Sequence, residues 1–139
     1  MKKLRPFHLA FPIYDINKTK NWYLKYLGCE VGRESKKWID FNFFGHQISG
    51  HLVNKKELKI QTNSVDKQNI PVRHFGIILE WNHWKKIKTK LIQSKINFIV
   101  KPYIRFKGKT GEQATMFIKD PNDNILEFKS FKSDTSIFK

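Results

Sequence analysis

The feature that most constrains this chain is a near-repeat. Residues 5–14 read Arg-Pro-Phe-His-Leu-Ala-Phe-Pro-Ile-Tyr, and residues 72–80 read Val-Arg-His-Phe-Gly-Ile-Ile-Leu-Glu. Each is a short apolar strand with a histidine near its start, and His8 and His74 stand 66 positions apart. A helix-like stretch of similar length follows each strand. A chain of 139 residues that states one phrase twice reads as two copies of one small unit. A histidine at the same place in each copy can face a shared centre.

Residue parity gives the copies their faces. Phe7, Leu9, Phe11 and Ile13 point one way, as a core face, and His8, Ala10, Pro12 and Tyr14 point the other. Asp15 reads as an N-cap, and Ile16 to Leu27 as a helix with an apolar stripe including Trp22, Tyr23 and Leu27. Gly28 ends it. Strands follow over 29–33, 38–44 and 47–53, with Gly45-His46 as a turn, so the first half reads β-α-β-β-β. Residues 54–71 are polar, end in proline, and read as a linker.

The second half repeats the order. Residues 73–81 read as a strand, Asn82 as an N-cap, and Trp84, Ile87 and Leu91 as one helical stripe. Strands are expected over 97–106, 112–119 and 125–131, with a flexible 107–111 segment and an Asp-Pro-Asn-Asp-Asn turn at 120–124. The expectation is one α+β domain over residues 1–139, built of module 1 (about 5–53), the linker 54–71 and module 2 (about 72–131).

Composition narrows the setting. An apolar fraction of 40% with twelve Phe and four Trp suffices for a core. No run approaches a membrane span, and the basic N-terminus lacks the apolar stretch of a signal peptide. Cys29 is the only cysteine, which excludes an intrachain disulfide and suits a reducing cytoplasm. The net charge of +15 is mostly Lys spread along the chain. A DNA reader concentrates its charge on one face with Arg at base edges, so a nucleic-acid partner is disfavoured.

Chemistry collects on the face away from the helices. Glu127 shares it with Ile125 and Lys129 on the last strand, opposite Leu126 and Phe128. His51 shares it with Gln47 and Ser49. Four strands therefore offer His8, His51, His74 and Glu127. Two histidines and a carboxylate on adjoining strands compose a facial triad for a divalent metal; Fe(II), Mn, Ni or Zn suit those donors, and Ca does not. Taken singly, a strand histidine is more often a surface or satisfied core residue, and His46 and His83 are read that way. The metal reading rests on equivalent positions in a duplicated unit.

These residues resemble the vicinal oxygen chelate superfamily, which includes glyoxalase I, extradiol dioxygenases, fosfomycin-resistance transferases and bleomycin-resistance proteins. The resemblance covers roughly residues 5 to 131. Its most specific piece is Phe117-Ile-Lys-Asp-Pro-Asn-Asp-Asn-Ile-Leu-Glu127, similar to the family's closing phrase before a ligand Glu. Phe7-His8-Leu9-Ala10 resembles the opening strand, Arg73-His74-Phe75-Gly76 the start of the second module, and Trp22-Tyr23 ahead of Leu27-Gly28 the family's helix end. The resemblance implies two βαβββ modules forming a curved mixed-sheet half-barrel with helices outside. It places His8, His74 and Glu127 at the metal positions. The fourth position falls nearer Ser49 than His51, so His51 is either a fourth ligand or a catalytic base beside the metal. A glyoxalase I would carry a carboxylate there.

The implied function is a metal-dependent enzyme of the glyoxalase or dioxygenase type. It would bind a small oxygen-bearing substrate by chelation, with dioxygenase or lyase/isomerase chemistry, Glu127 and His51 being the catalytic candidates. Tyr14, Tyr103 and Arg105 are substrate-binding candidates, and the set Trp38, Asp40 and Asn42, or its opposite-parity partners, lines the pocket. Fe(II) is the favoured ion, with Zn, Ni and Mn as alternatives, and a homodimer is expected. The competing readings are a bleomycin-resistance-like protein that sequesters a small aromatic molecule, and a fosfomycin-type thiol transferase. The first generally lacks a full ligand set; for the second, no cation-binding loop or thiol site is evident.

Overall fold

The computed structural model describes residues 3–55 and 61–139. In chain order the elements are β1 (His8–Ile13), α1 (Ile16–Leu27), β2 (Glu30–Glu34), β3 (Trp38–Phe43), β4 (His46–Leu52), β5 (Gln61–Val65), β6 (Gln68–Val72), β7 (Phe75–Leu79), α2 (Trp81–Gln93), β8 (Phe98–Arg105), β9 (Gln113–Lys119) and β10 (Ile125–Phe131). The class is α+β, with mixed sheets. Among the described residues no helix is long and apolar enough to cross a membrane. The chain divides into two compact units. The first runs through β4 and also takes in Asp120–Asn124; the second holds β5 to Lys119 and resumes at Ile125–Lys139.

The duplication is visible in topology. The first sheet has the order β1-β4-β3-β2 and the larger sheet of the second unit the order β7-β10-β9-β8. In each, the strand before the helix pairs in parallel with the last strand, and the last three strands form an antiparallel meander. The helix is the crossover that a parallel pair requires.

In the first unit, α1 begins where Asp15 accepts a hydrogen bond from the Lys18 amide at 2.8 Å. It ends at Gly28, whose φ of 65° is left-handed and free of steric cost in glycine. Thr19, Tyr23 and Leu27 recur every fourth residue and face the sheet. There the Tyr23 ring stacks on Phe41 at 4.9 Å and meets Phe11 at 5.8 Å. The Tyr23 hydroxyl is buried and donates to Asp120 at 2.8 Å. Asp120 also accepts from the amides of Asn122 and Asn124 at 2.8 and 2.9 Å. Asn122 in turn bonds Thr19 and accepts from the Tyr14 amide. The turn phrase Asp-Pro-Asn-Asp-Asn is therefore a hydrogen-bonding plug for the end of α1. Burial pushes the Asp120 carboxyl above its ordinary range despite these donors, and burial next to Asp120 pushes the Tyr23 phenol well up.

In the second unit Trp84, Ile87 and Leu91 of α2 are buried, as their spacing predicts, and Trp84 Nε1 donates to the Phe128 carbonyl at 2.8 Å. Two boundaries differ from the sequence reading. Trp81 opens α2 instead of ending β7, and Glu80 holds the N-cap position in place of Asn82. The Trp84 amide already closes the first turn onto the Glu80 carbonyl at 2.9 Å, so the helix starts before the polar residue that looked like a cap.

The segment 54–71, expected to be a plain linker, carries an antiparallel hairpin of β5 and β6; residues 56–60 lie outside the described residues. Its strands lack an apolar signature because their exposed positions, Val72 apart, are Gln, Asn, Thr and Ser. Their inward residues are few: Ile70 packs with Val100, Phe117 and Ile125, and Val65 and Tyr103 lean on that cluster.

The buried Tyr23–Asp120 bond makes a stability prediction. Tyr23→Phe should lower the free energy of unfolding in urea by about 2 kcal/mol, the worth of a hydrogen bond to a charged group. Asp120→Ala should cost at least about 1 kcal/mol more, because it also strands the Asn122 and Asn124 amides. Equal effects from both would show that the turn amides do not depend on Asp120.

Candidate functional site

His74 and Glu127 meet in the second unit. His74 lies just before β7, and β7 pairs with β10 so that Gly76 stands opposite Glu127. Their side chains are 28% and 13% exposed, and His74 Nε2 lies 3.5 Å from Glu127 Oε2. Each group's other polar atom is engaged. His74 Nδ1 is 2.6 Å from the Pro71 carbonyl, which accepts and so keeps the proton on Nδ1. Thr115, buried on β9, donates to Glu127 Oε1 at 3.0 Å. The remaining nitrogen lone pair of neutral His74 and Oε2 of Glu127 are presented side by side. The Phe117 ring packs edge-on to the imidazole at 4.9 Å and walls off that flank.

Gly76 makes this pairing possible. A Cβ at residue 76 would collide with the backbone carbonyl of Glu127. Any larger residue would push β7 off β10 at the level of the carboxylate.

Hydrogen bonding to Glu127 raises the His74 pKa above its ordinary 6.5; partial burial opposes this and the Pro71 carbonyl adds to it. In the same unit Arg105 forms an ion pair with Asp66 of the β5–β6 turn. The Tyr103 hydroxyl donates to Asp66 at 3.1 Å, and burial followed by Asp66 raises its pKa. Two substrate-binding candidates from the sequence are thus joined to one carboxylate.

The remaining candidates belong to the first unit. Register puts His8 opposite Gln47 and gives Trp38, Asp40 and Asn42, not their opposite-parity neighbours, the His8 face. His51 lies opposite Pro12, four residues farther along the sheet than the partner of His8, roughly 13 Å at strand rise. Ser49 lies between, buried, with its hydroxyl donating to Asp40 at 2.5 Å. His8 and His51 are exposed, while Tyr14 is half-buried with its amide held by Asn122. His46, read as a surface residue, has a local role: its Nδ1 accepts the Phe7 amide at 2.8 Å, directly before His8.

Comparison with known proteins gives the family. No family model matches the chain. Among solved structures, a glyoxalase/bleomycin resistance protein/dioxygenase from Alicyclobacillus acidocaldarius is 30% identical, with 96% of each chain covered and a TM-score of 0.81. The chain belongs to the glyoxalase/bleomycin resistance protein/dioxygenase family. Fold likeness within the vicinal oxygen chelate superfamily extends to the fosfomycin resistance protein FosX of Listeria monocytogenes. It is 15% identical over 94% of this chain and 93% of that one, with a TM-score of 0.65. A putative glyoxalase family protein from Bacillus anthracis is 12% identical over 95% and 98%, with a TM-score of 0.63.

The donors of the second unit fit the divalent ion that this superfamily generally uses. Two atoms sharing one ion at about 2.1 Å stand about 3.0–3.4 Å apart for bite angles from square to tetrahedral. The 3.5 Å between His74 and Glu127 is just beyond the wide end of that range, so the two side chains would close by about a tenth of an ångström or more to share an ion. The partners Pro71 and Thr115 are those an ion-binding imidazole and carboxylate need behind them. Among the described residues no three His, Cys, Asp or Glu side chains gather around one point. Thr115 went unread in the sequence because it lies two residues from Phe117, the cross-strand partner of Glu127. Only the strand register brings it to the carboxylate.

A histidine titration by NMR, on protein stripped of metal with EDTA, should place the His74 midpoint above 6.5. Glu127→Gln should bring it down. Since the folded pKa is the raised one, the stabilising pair is fully present below about pH 6.5 and is lost as pH climbs through the folded value. The stability gap between wild type and Glu127→Gln should therefore shrink on going from mildly acidic to alkaline pH. A gap that widens would show that the imidazole and carboxylate are not coupled.

Proposed function

We propose that the protein is a metal-dependent enzyme of the glyoxalase/dioxygenase type. It binds a small oxygen-bearing substrate by chelation to a divalent ion held by His74 and Glu127, with His8 as the third ligand. The observation that carries this is the pair at 3.5 Å, with Nδ1 and Oε1 already committed to Pro71 and Thr115. An imidazole and a carboxylate prepared in this way are oriented before any ion arrives, which lowers the cost of binding one. Two histidines and one carboxylate leave coordination positions open and favour Fe(II), with Zn, Ni and Mn as alternatives. When bound, such an ion supplies Lewis-acid stabilisation of negative charge developing on substrate oxygen.

The chain's own residues do the rest. Thr115 fixes the carboxylate so that Oε2 points to His74, and Phe117 keeps water from one flank of the imidazole. The Asp66 clasp on Tyr103 and Arg105 holds the β5–β6 hairpin, whose Pro71 carbonyl sets the His74 tautomer. A chelating substrate is the reading supported by a pair whose back atoms are held by Pro71 and Thr115 and whose front atoms face each other. The working form is a homodimer in the cytoplasm.

Metal analysis of anaerobically purified protein tests the proposal. Wild type should carry a divalent ion, while His8→Ala, His74→Ala and Glu127→Ala should each lose it. Thr115→Val should bind it about tenfold more weakly. Unchanged metal content across the four variants would sink the enzyme reading. A metal-free protein that binds an aromatic ligand would put sequestration in its place.

A further inference from the structure

The first unit contains a cleft of about 280 Å³ on the His8 face of its sheet, whose lining includes Pro6, Arg33, Asp40, Asn42, His46 and Gln47. Its position is informative because the two units share one topology. In the second unit His74 precedes Phe75, which pairs with Leu126, so Glu127 lies two residues beyond the level of the histidine. In the first unit His8 pairs with Gln47, and the residue two beyond is Ser49. A hydroxyl thus stands where the other copy has a carboxylate. The carboxylate of the first copy sits one strand over, at Asp40, directly opposite Ser49.

Asp40 is 6% exposed, and its two oxygens are not equivalent. Oδ1 accepts the Ser49 hydroxyl at 2.5 Å. Oδ2 has a 3.7 Å approach from Arg33 Nε, too long for a hydrogen bond. The Arg33 side chain is 82% exposed and lies over the Trp38 ring at 5.6 Å, so solvent and the ring share its charge. Asp40 Oδ2 is not among the buried polar atoms without a partner; it opens on the cleft, where an incoming O–H or N–H can take the place of water. The neighbours restrict which kind. A second cation would crowd Arg33, and an anion would face Asp40. A neutral donor meets neither penalty, and the Gln47 amide and the His46 ring, whose Nδ1 is already an acceptor, offer further polar contacts.

We infer that this cleft is a binding subsite for a neutral, hydroxyl-bearing group, with Asp40 Oδ2 accepting its O–H while Ser49 holds the carboxylate in place. The inference goes beyond the proposed function and does not depend on it. The subsite is built from the first unit alone and is independent of metal.

The test uses ¹⁵N-labelled full-length protein titrated with D-ribose and, separately, with propionate, each with and without EDTA. Ribose should shift the backbone amides between Asn42 and Gln47 equally in both conditions, and propionate should not. Asp40→Asn keeps an oxygen for Ser49 but can turn a donor toward the ligand, and should weaken ribose binding at least tenfold. Lys85→Met, at an exposed position of α2 in the second unit, should fold as wild type does and leave ribose binding unchanged. Ribose shifts that survive Asp40→Asn, or propionate binding as tight as ribose, would each overturn the inference. So would an absence of ribose shifts in wild type. A protein that binds ribose but no metal would refute the metal proposal and leave the subsite standing.

Discussion

Each unit depends on the parallel pairing of its first strand with its last. A parallel pair needs a long crossover, and the helix supplies it, so each four-stranded sheet has its own helix. This closure brings residues far apart in sequence into adjoining rows: Gly76 beside Glu127, and Ala10 beside Ser49. The pairing is tight enough at Gly76 that one methyl group would break it. The candidate chemistry depends on this backbone constraint before it depends on any side chain.

Much of this was legible in the sequence because duplication and parity are robust signals. Strand alternation assigned His8, His51 and Glu127 to the face away from the helices, and helical spacing singled out Trp84, Ile87 and Leu91. Burial of Tyr23 and Leu27 followed from their place on the α1 stripe. What stayed hidden depends on register between strands or on polar strands without an apolar signature. Thr115 behind Glu127, Asp40 opposite Ser49 and the β5–β6 hairpin are of this kind. The proline of the expected linker was visible as a chain punctuator. That its carbonyl would set a histidine tautomer was not, because a backbone acceptor has no sequence code.

The two copies have diverged in a physically readable way. The second unit pairs an imidazole with a carboxylate and braces both from behind, while the first pairs a hydroxyl with a carboxylate beside an open cleft. The same topology thus carries an imidazole–carboxylate pair in one copy and a hydroxyl–carboxylate pair in the other. A common ancestor of the two modules need not have had either specialisation, since strand order and the helix crossover are what they still share.

The five residues Asp120–Asn124 connect two strands of the second unit yet complete the first. The repeat is consequently no longer separable at the level of the gene. A fragment ending after β4 would keep its sheet and α1 but leave the Tyr23 hydroxyl buried with no acceptor and the Tyr14 amide without Asn122. The dependence runs one way along the chain: the first unit needs five residues that arrive between β9 and β10. A cut between the modules would leave the first copy incomplete.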